Sequence, residues 1–296
     1  MSTFTRKLIF CFIGVLAGLA AWPLAEFVLV YQAVFPSFLF FSISVGAVLG
    51  AVMGGFFGSI DAITLSVKPR FASGVITGLC VGLIGGAVGF LAGQSALMLM
   101  VQKFLYSSTS LQTTIIPISR IVGWAVLGIF IGSIEGVRAR SMAKIQVGIL
   151  GGLLGGLLGG LTLEYLKLYL STILLARLSG LLILGLLIGL FYSLFEKRFS
   201  RGTLKLLNGK LKGKEYLLVQ KSTKIGASPQ SDIFLKDYSG VDEIHAEIRA
   251  KRGRLFLKNQ PNKEPVKVNE DVIGEHILRF EDVVQIGSAK FLFYHQ

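Results

Sequence analysis

The chain has 296 residues, of which 52% are hydrophobic, 36 are glycine and 16% are charged; its net charge is +13 and its mean hydropathy +0.67. Those averages describe two unlike parts rather than one globular domain. All but five of the 17 acidic residues follow position 200, the exceptions being Glu26, Asp61, Glu135, Glu164 and Glu196.

Six apolar runs have the length at which a helix crosses a bilayer core, where about 20 residues suffice. They fall at Leu8 to Val30, Phe38 to Ile60, Ala72 to Met98, Ile121 to Ile134, Ile145 to Leu168 and Ile173 to Phe195. The fourth is the shortest and draws in Pro117 to Arg120 and Glu135. Basic residues flank the runs unevenly. Arg6, Lys7, Lys68, Arg70, Arg138, Arg140, Lys144, Lys197, Arg198 and Arg201 fall on one side, against Lys103, Arg120, Lys167 and Arg177 on the other. The positive charge is therefore assigned to membrane edges rather than to nucleic acid, and the bias places both termini in the cytoplasm. Arg6, Lys7 and the apolar run that follows also imitate a secretory signal peptide, whose removal would leave five spans; the first run is counted here as a span. Cys11 and Cys80 both lie within spans, so the rest of the chain carries no cysteine for a disulfide or metal site.

The membrane part repeats itself. "FFGSIDAI" at Phe56 to Ile63 recurs as "FIGSIEGV" at Phe130 to Val137, and the same offset carries Gly74, Gly82, Gly85 and Gly86 onto Gly148, Gly156, Gly159 and Gly160, and Arg70 onto Lys144. A weaker third copy, "GLFYSLFEKR", ends the sixth run, so the expected architecture is an all-α bundle of three two-helix hairpins. Glycines four apart, such as Gly152, Gly156 and Gly160, allow the close backbone approach that drives helix association in lipid, within one chain or between chains as homo- or hetero-oligomers. Asp61, Glu135 and Glu196 end helices on the basic side, and Glu26 and Glu164 lie near the other ends; interfacial placement accounts for all five. Three acids at equivalent repeat positions could alternatively form a ring for cations, which is the basis of a rival reading as a channel, scramblase or transporter subunit.

After Thr203 the helical period stops. Short alternating strands follow: "TLKLL", "EYLLVQ", "TKIG", "DIFL", "AEIRA", "RLFLKN", "VKVN", "HILRF", "VVQIG" and "KFLFYH", separated by turns such as Asn208-Gly209 and Arg252-Gly253. This pattern predicts an all-β sandwich. Its ordered motifs, Ile225-Gly226 with Ser228, "SDIFL", His245-Ala246-Glu247-Ile248, "RLFLKN", "VKVNEDVI" and "FEDVVQIGSAKFLFYH", resemble the forkhead-associated (FHA) family over Arg201 to Gln296.

The resemblance implies eleven strands and a peptide-binding loop face, which in the family reads phosphothreonine in kinase signalling. Family members use an arginine after the first glycine, a serine three before the histidine and an asparagine-glycine pair in a later loop; the histidine braces the loops. Here Gly226, Ser228 and His245 agree, whereas Ala227, Asp242 and Glu264-Pro265 stand at the three phosphate-contacting positions. Removing the arginine deletes a charge-assisted bond worth roughly 1.5 to 3 kcal/mol, and Asp242 sets a carboxylate against an anion. Lys224 and Lys236 are expected to be solvated, while Asn262 is the remaining candidate in the loop "NQPNKEPVK". His276 and His295 are scattered singly, with no metal-ligand spacing. The β-domain is itself basic, and Lys205, Lys210, Lys212 and Lys214 are expected near lipid headgroups.

The sequence therefore predicts a multi-pass protein of a prokaryotic cell membrane, with a six-helix transmembrane domain over residues 1 to 200 and a cytoplasmic FHA-like sandwich over 201 to 296. It is expected to be an adaptor rather than an enzyme, with no cofactor and no metal. Its protein partner is expected on a face comprising Ser228, Asp242, His245 and Asn262, and its other partner is the lipid membrane.

Overall fold

The computed structural model describes residues 3–65, 69–103, 111–260 and 264–294; Lys68, Pro261, Asn262 and His295 lie outside them, as does the side chain of Lys103. Among the described residues, six helices are long and apolar enough to cross a membrane: α1 (Thr3–Val30), α2 (Phe38–Leu65), α3 (Pro69–Lys103), α4 (Ile116–Arg138), α5 (Met142–Tyr169) and α6 (Ile173–Arg198). A single π-helical turn, Leu111–Ile115, leads into α4, so the shortest apolar run of the sequence becomes a full span by drawing in Pro117 at its first turn and Glu135 near its end.

The helices form a closed ring in which each packs on the next and α1 closes against α6. Reciprocal glycine contacts join α2 with α3, α4 with α5, and α6 with α1, one helix out of step with consecutive hairpins, while Gly89 with Gly123 joins α3 to α4 and Gly151 and Gly155 of α5 pack on the backbone of α6. A Cβ on Gly54 would collide with the Gly78 carbonyl, and one on Gly185 with that of Gly14. Backbones approach this closely because lipid supplies little hydrophobic force between helices, leaving van der Waals contact to hold them. The first helix is thus the partner that completes the third pair.

The fold class is the one expected: an α-helical bundle followed by an all-β FHA-like domain. A six-stranded sheet has the order β2 (Glu215–Leu217), β1 (Thr203–Leu206), β11 (Ala289–Tyr294), β10 (Val283–Ile286), β7 (Val266–Val268), β8 (Asp271–Ile273). A five-stranded sheet has the order β4 (Ile233–Phe234), β3 (Ser222–Gly226), β5 (Ala246–Lys251), β6 (Arg254–Asn259), β9 (Glu275–Ile277). The alternation in sequence gives ten of these strands. The eleventh, β8, pairs with β7 across a two-residue loop, Asn269 and Glu270, with φ of 51° and 76°; positive φ at both central positions matches the twist of a tight hairpin. Between the sheets lies a core drawn wholly from this domain, including the fully buried Phe291, Phe293, Leu257 and Val284, each contributing about 1.5 to 3 kcal/mol of burial.

Candidate protein-binding face and its junction with the helices

Two loops build the face. The β3–β4 loop leaves Gly226, where a side chain would meet the Glu243 carbonyl, so only glycine lets the two loops touch. Across that contact the Ala227 N–H donates to the Asp242 carbonyl at 2.8 Å and the Ser228 N–H to the Glu243 carbonyl at 3.0 Å. The Ser228 hydroxyl accepts from the Gln230 N–H at 3.2 Å, and the buried Ser231 hydroxyl donates to the Glu243 carbonyl at 2.9 Å.

His245 is fully buried. Its backbone N–H donates to the Ile225 carbonyl at 2.8 Å and its Nδ1 accepts from the Asp242 N–H at 3.2 Å. His245 is accordingly a brace beneath the face rather than a surface contact. Ser228 and Asp242 are half-buried beside one another's loops, and Asn262 lies outside the described residues. Lys224 and Lys236 are exposed, as expected of solvated lysines. Glu264 is exposed, and its carbonyl accepts from the Asn259 amide at 3.3 Å.

What the sequence reading missed is that the helices grip this face. Arg70, in the first turn of α3, donates from Nε to the Pro229 carbonyl at 2.7 Å and from a terminal nitrogen to the Ser231 carbonyl at 2.8 Å. The Thr3 N–H donates to Glu215 of β2 at 2.7 Å. A cavity of about 450 Å³ lies between the two parts, lined by Arg6, Arg70, Arg138 and Lys144 from the helices and by Asp232, Gln220 and Tyr216 from the β-domain.

The acids at the helix ends are corrected by the structure. They are buried and ion-paired rather than interfacial: Asp61 pairs with Arg138 and, at 3.9 Å, with Arg70; Glu135 with Lys144 at 2.7 Å and Arg6 at 3.5 Å; Glu196 with Arg6 at 2.7 Å. The Tyr192 hydroxyl adds a bond to Glu135 at 2.8 Å. Equivalent acids therefore do not make a free anionic ring, because each is answered by a base from the following helix or from α1. The signal was in the repeat: Asp61 to Arg70 and Glu135 to Lys144 have the same spacing. Glu26 and Glu164 are paired too, with Arg177 at 2.8 Å and with Lys167 at 2.8 Å.

Lys214 also departs from expectation. It is buried, with its ammonium 5.3 Å from the Tyr216 ring centroid, while Lys210 and Lys212 are exposed. Burial, and then the charge of Arg6 across the junction, bring its pKa down to about 8.

A two-loop face on an eleven-strand sandwich, carried by a helix bundle, defines a membrane-associated FHA-like protein. Residues 205–296 match the family described as inner membrane component of T3SS, cytoplasmic domain, and the helices fall outside that match. Over 81 residues, 27% of this chain, the segment is 33% identical to the oxoglutarate dehydrogenase inhibitor of Corynebacterium efficiens and 35% identical to the glycogen accumulation regulator GarA of Mycolicibacterium smegmatis. The chain spans about half the length of these curated relatives, 56% and 51%. Among solved structures, the FHA domain of CT664 protein from Chlamydia trachomatis is 26% identical with a TM-score of 0.30, covering 32% of this chain and 97% of that one. The cytoplasmic domain of the T3SS sorting platform protein PscD from P. aeruginosa is 18% identical with a TM-score of 0.29, covering 32% and 79%.

Proposed function

We propose that the chain is a membrane-embedded adaptor, not an enzyme, whose FHA-like domain faces the cytoplasm of a bacterial cell and binds a protein partner without requiring phosphothreonine. The observation that carries this reading is the pair Ala227 and Asp242, whose backbones hydrogen-bond to each other at 2.8 Å at the centre of the face. A phosphate there would meet the Ala227 methyl at the position where the FHA resemblance calls for an arginine, and the Asp242 carboxylate, the reverse of what a charge of about −1.5 to −2 needs. Arg70 beside this loop already spends its donors on the Pro229 and Ser231 carbonyls.

Three further features support it. The curated relatives of this segment bear inhibitor and regulator names, which fits action through a protein partner. The matching family is described as the cytoplasmic domain of an inner membrane component, which fits a β-domain held on the cytoplasmic side of a bilayer. Arg6, Arg70, Arg138 and Lys144 crowd the end of the bundle beside the β-domain, which is the end the positive-inside rule assigns to the cytoplasm.

The test reverses the two substitutions. Ala227→Arg with Asp242→Ser in the isolated domain, residues 201–296, is expected to acquire phosphate-dependent affinity for a degenerate phosphothreonine peptide pool, read by fluorescence polarisation. Equal phosphate-dependent binding by the native domain and the variant would contradict the proposal.

A further inference from the structure

At the end of the bundle away from the β-domain the ring opens around a chamber of about 640 Å³. That volume falls within the roughly 300 to 1,000 Å³ range of small-molecule sites. Its floor is apolar: Phe41, Val45, Leu49, Trp124, Leu163 and Leu181 come from four different helices. Below it the bundle is packed shut by Met53, Leu127, Ile131, Ile134 and the stacked pair Phe10 and Tyr192, whose centroids are 4.9 Å apart.

The rim is charged. Arg120, Lys167 and Arg177 stand against two carboxylates, Glu26 and Glu164, leaving one positive charge in excess. The carboxylates use up little of the cations' donor capacity. Glu164 is shared between Trp124 Nε1 at 2.9 Å, Lys167 at 2.8 Å and Arg120 at 3.4 Å, while Glu26 takes one bond from Arg177 at 2.8 Å. The side chain of Arg120 is 50% exposed and has five donors to offer. Conversely, Oε1 of Glu26 is buried with no hydrogen-bond partner among the described residues, an acceptor waiting for an O–H or N–H. Excess cation donors, one stranded acceptor and an apolar floor together specify a ligand with two unlike ends.

We propose that this chamber binds an anionic amphiphile, with a phosphate-type head bearing an O–H placed among Arg120, Lys167, Arg177 and Glu26, and a hydrocarbon body on the floor at Leu49 and Trp124. A free amphiphile and a bilayer lipid share this chemistry. The site is independent of the β-domain's binding face, because every lining residue lies between Ala25 and Leu181.

The chain has two tryptophans, Trp22 and Trp124, and Trp124 lines the chamber, so intrinsic fluorescence reports its occupancy. The full chain in a non-ionic detergent is titrated with dodecyl phosphate, with inorganic phosphate as the head alone and dodecanol as the body alone. Phosphatidic acid against phosphatidylcholine, read by native mass spectrometry, tests the bilayer source. Saturable binding of dodecyl phosphate or phosphatidic acid is expected, weakened about tenfold or more by Arg120→Gln and kept by Arg120→Lys. Folding of each variant is checked by its thermal melt. The proposal is overturned if neither anionic amphiphile saturates, if dodecanol or inorganic phosphate binds as well as dodecyl phosphate, or if a folded Arg120→Gln variant binds like the parent.

Discussion

Arg70 of a membrane-spanning helix holds Pro229 of the β3–β4 loop, its Nε 2.7 Å from the proline carbonyl, and the same guanidinium reaches Ser231 at 2.8 Å. The loop that carries Ala227, where the FHA resemblance implies an arginine, is here fastened from outside by an arginine of the bundle. The β-domain is thereby held to the bundle through the β3–β4 loop, part of the proposed binding face.

Removing that guanidinium should release the loop. With Arg70→Ala, amide hydrogen exchange at Ser228, Gln230 and Ser231 in the full chain is expected to rise about tenfold or more, since two charge-assisted bonds are lost. Exchange in the core strands β5 and β6 should stay unchanged, because their ladder runs through Ile248 and Leu257 and does not involve the helices.

Glu135 is buried among Lys144, Arg6 and Tyr192. Truncating one partner of a buried pair strands the other charges, at a cost of roughly 3 to 5 kcal/mol. Glu135→Ala should therefore lower the melting temperature of the bundle in detergent markedly. If Glu135 instead served an ion path, the variant would keep its melting temperature and lose flux in liposomes, so the two measurements together separate the roles.

Close packing makes its own prediction. Gly54→Leu places a side chain against the Gly78 carbonyl of α3, where backbone cannot yield cheaply. Loss of folded protein by size-exclusion chromatography is expected, whereas Leu154→Ala, at an exposed position of α5, should elute like the parent.

Stability of the β-domain should fall in acid through Asp282. Burial pushes this carboxyl up, but the Arg279 N–H at 2.8 Å, His276 Nε2 at 2.9 Å and the Asn269 amide at 2.9 Å outweigh burial, so its pKa lies below the ordinary carboxylate range. A depressed carboxyl binds its proton more readily in the unfolded chain. Its stabilisation is thus fully present above about pH 4 and is lost as pH falls through the lower folded value. Urea midpoints of the isolated domain between pH 6 and 2 should show that decline, and Asp282→Asn should flatten part of it.

Much of the architecture is legible in the sequence because its signals are local and periodic. Apolar runs mark six spans, and alternation with turn residues marks ten of eleven strands; β8 escaped because Val272 is 65% exposed and gives no alternation of apolar residues. The repeat carried the glycine pairs, yet pairing α6 with α1 depends on the ring closing in space. The site was legible only in its chemistry. Ala227 and Asp242 stand out by type, but the burial of His245 and Lys214, the pairing of Asp61, Glu135 and Glu196, and the reach of Arg70 to Pro229 join residues up to 190 apart in sequence. Only Asp61 with Arg70 and Glu135 with Lys144 recur at one spacing; the other contacts leave none to read.

The central claim is that this face does not depend on phosphate, and titrating the isolated native domain with a degenerate phosphothreonine peptide pool, before and after phosphatase, tests it most directly. We expect no micromolar binding that phosphatase abolishes. Micromolar affinity lost on dephosphorylation would show that the domain reads phosphothreonine despite Ala227 and Asp242, and would contradict the account.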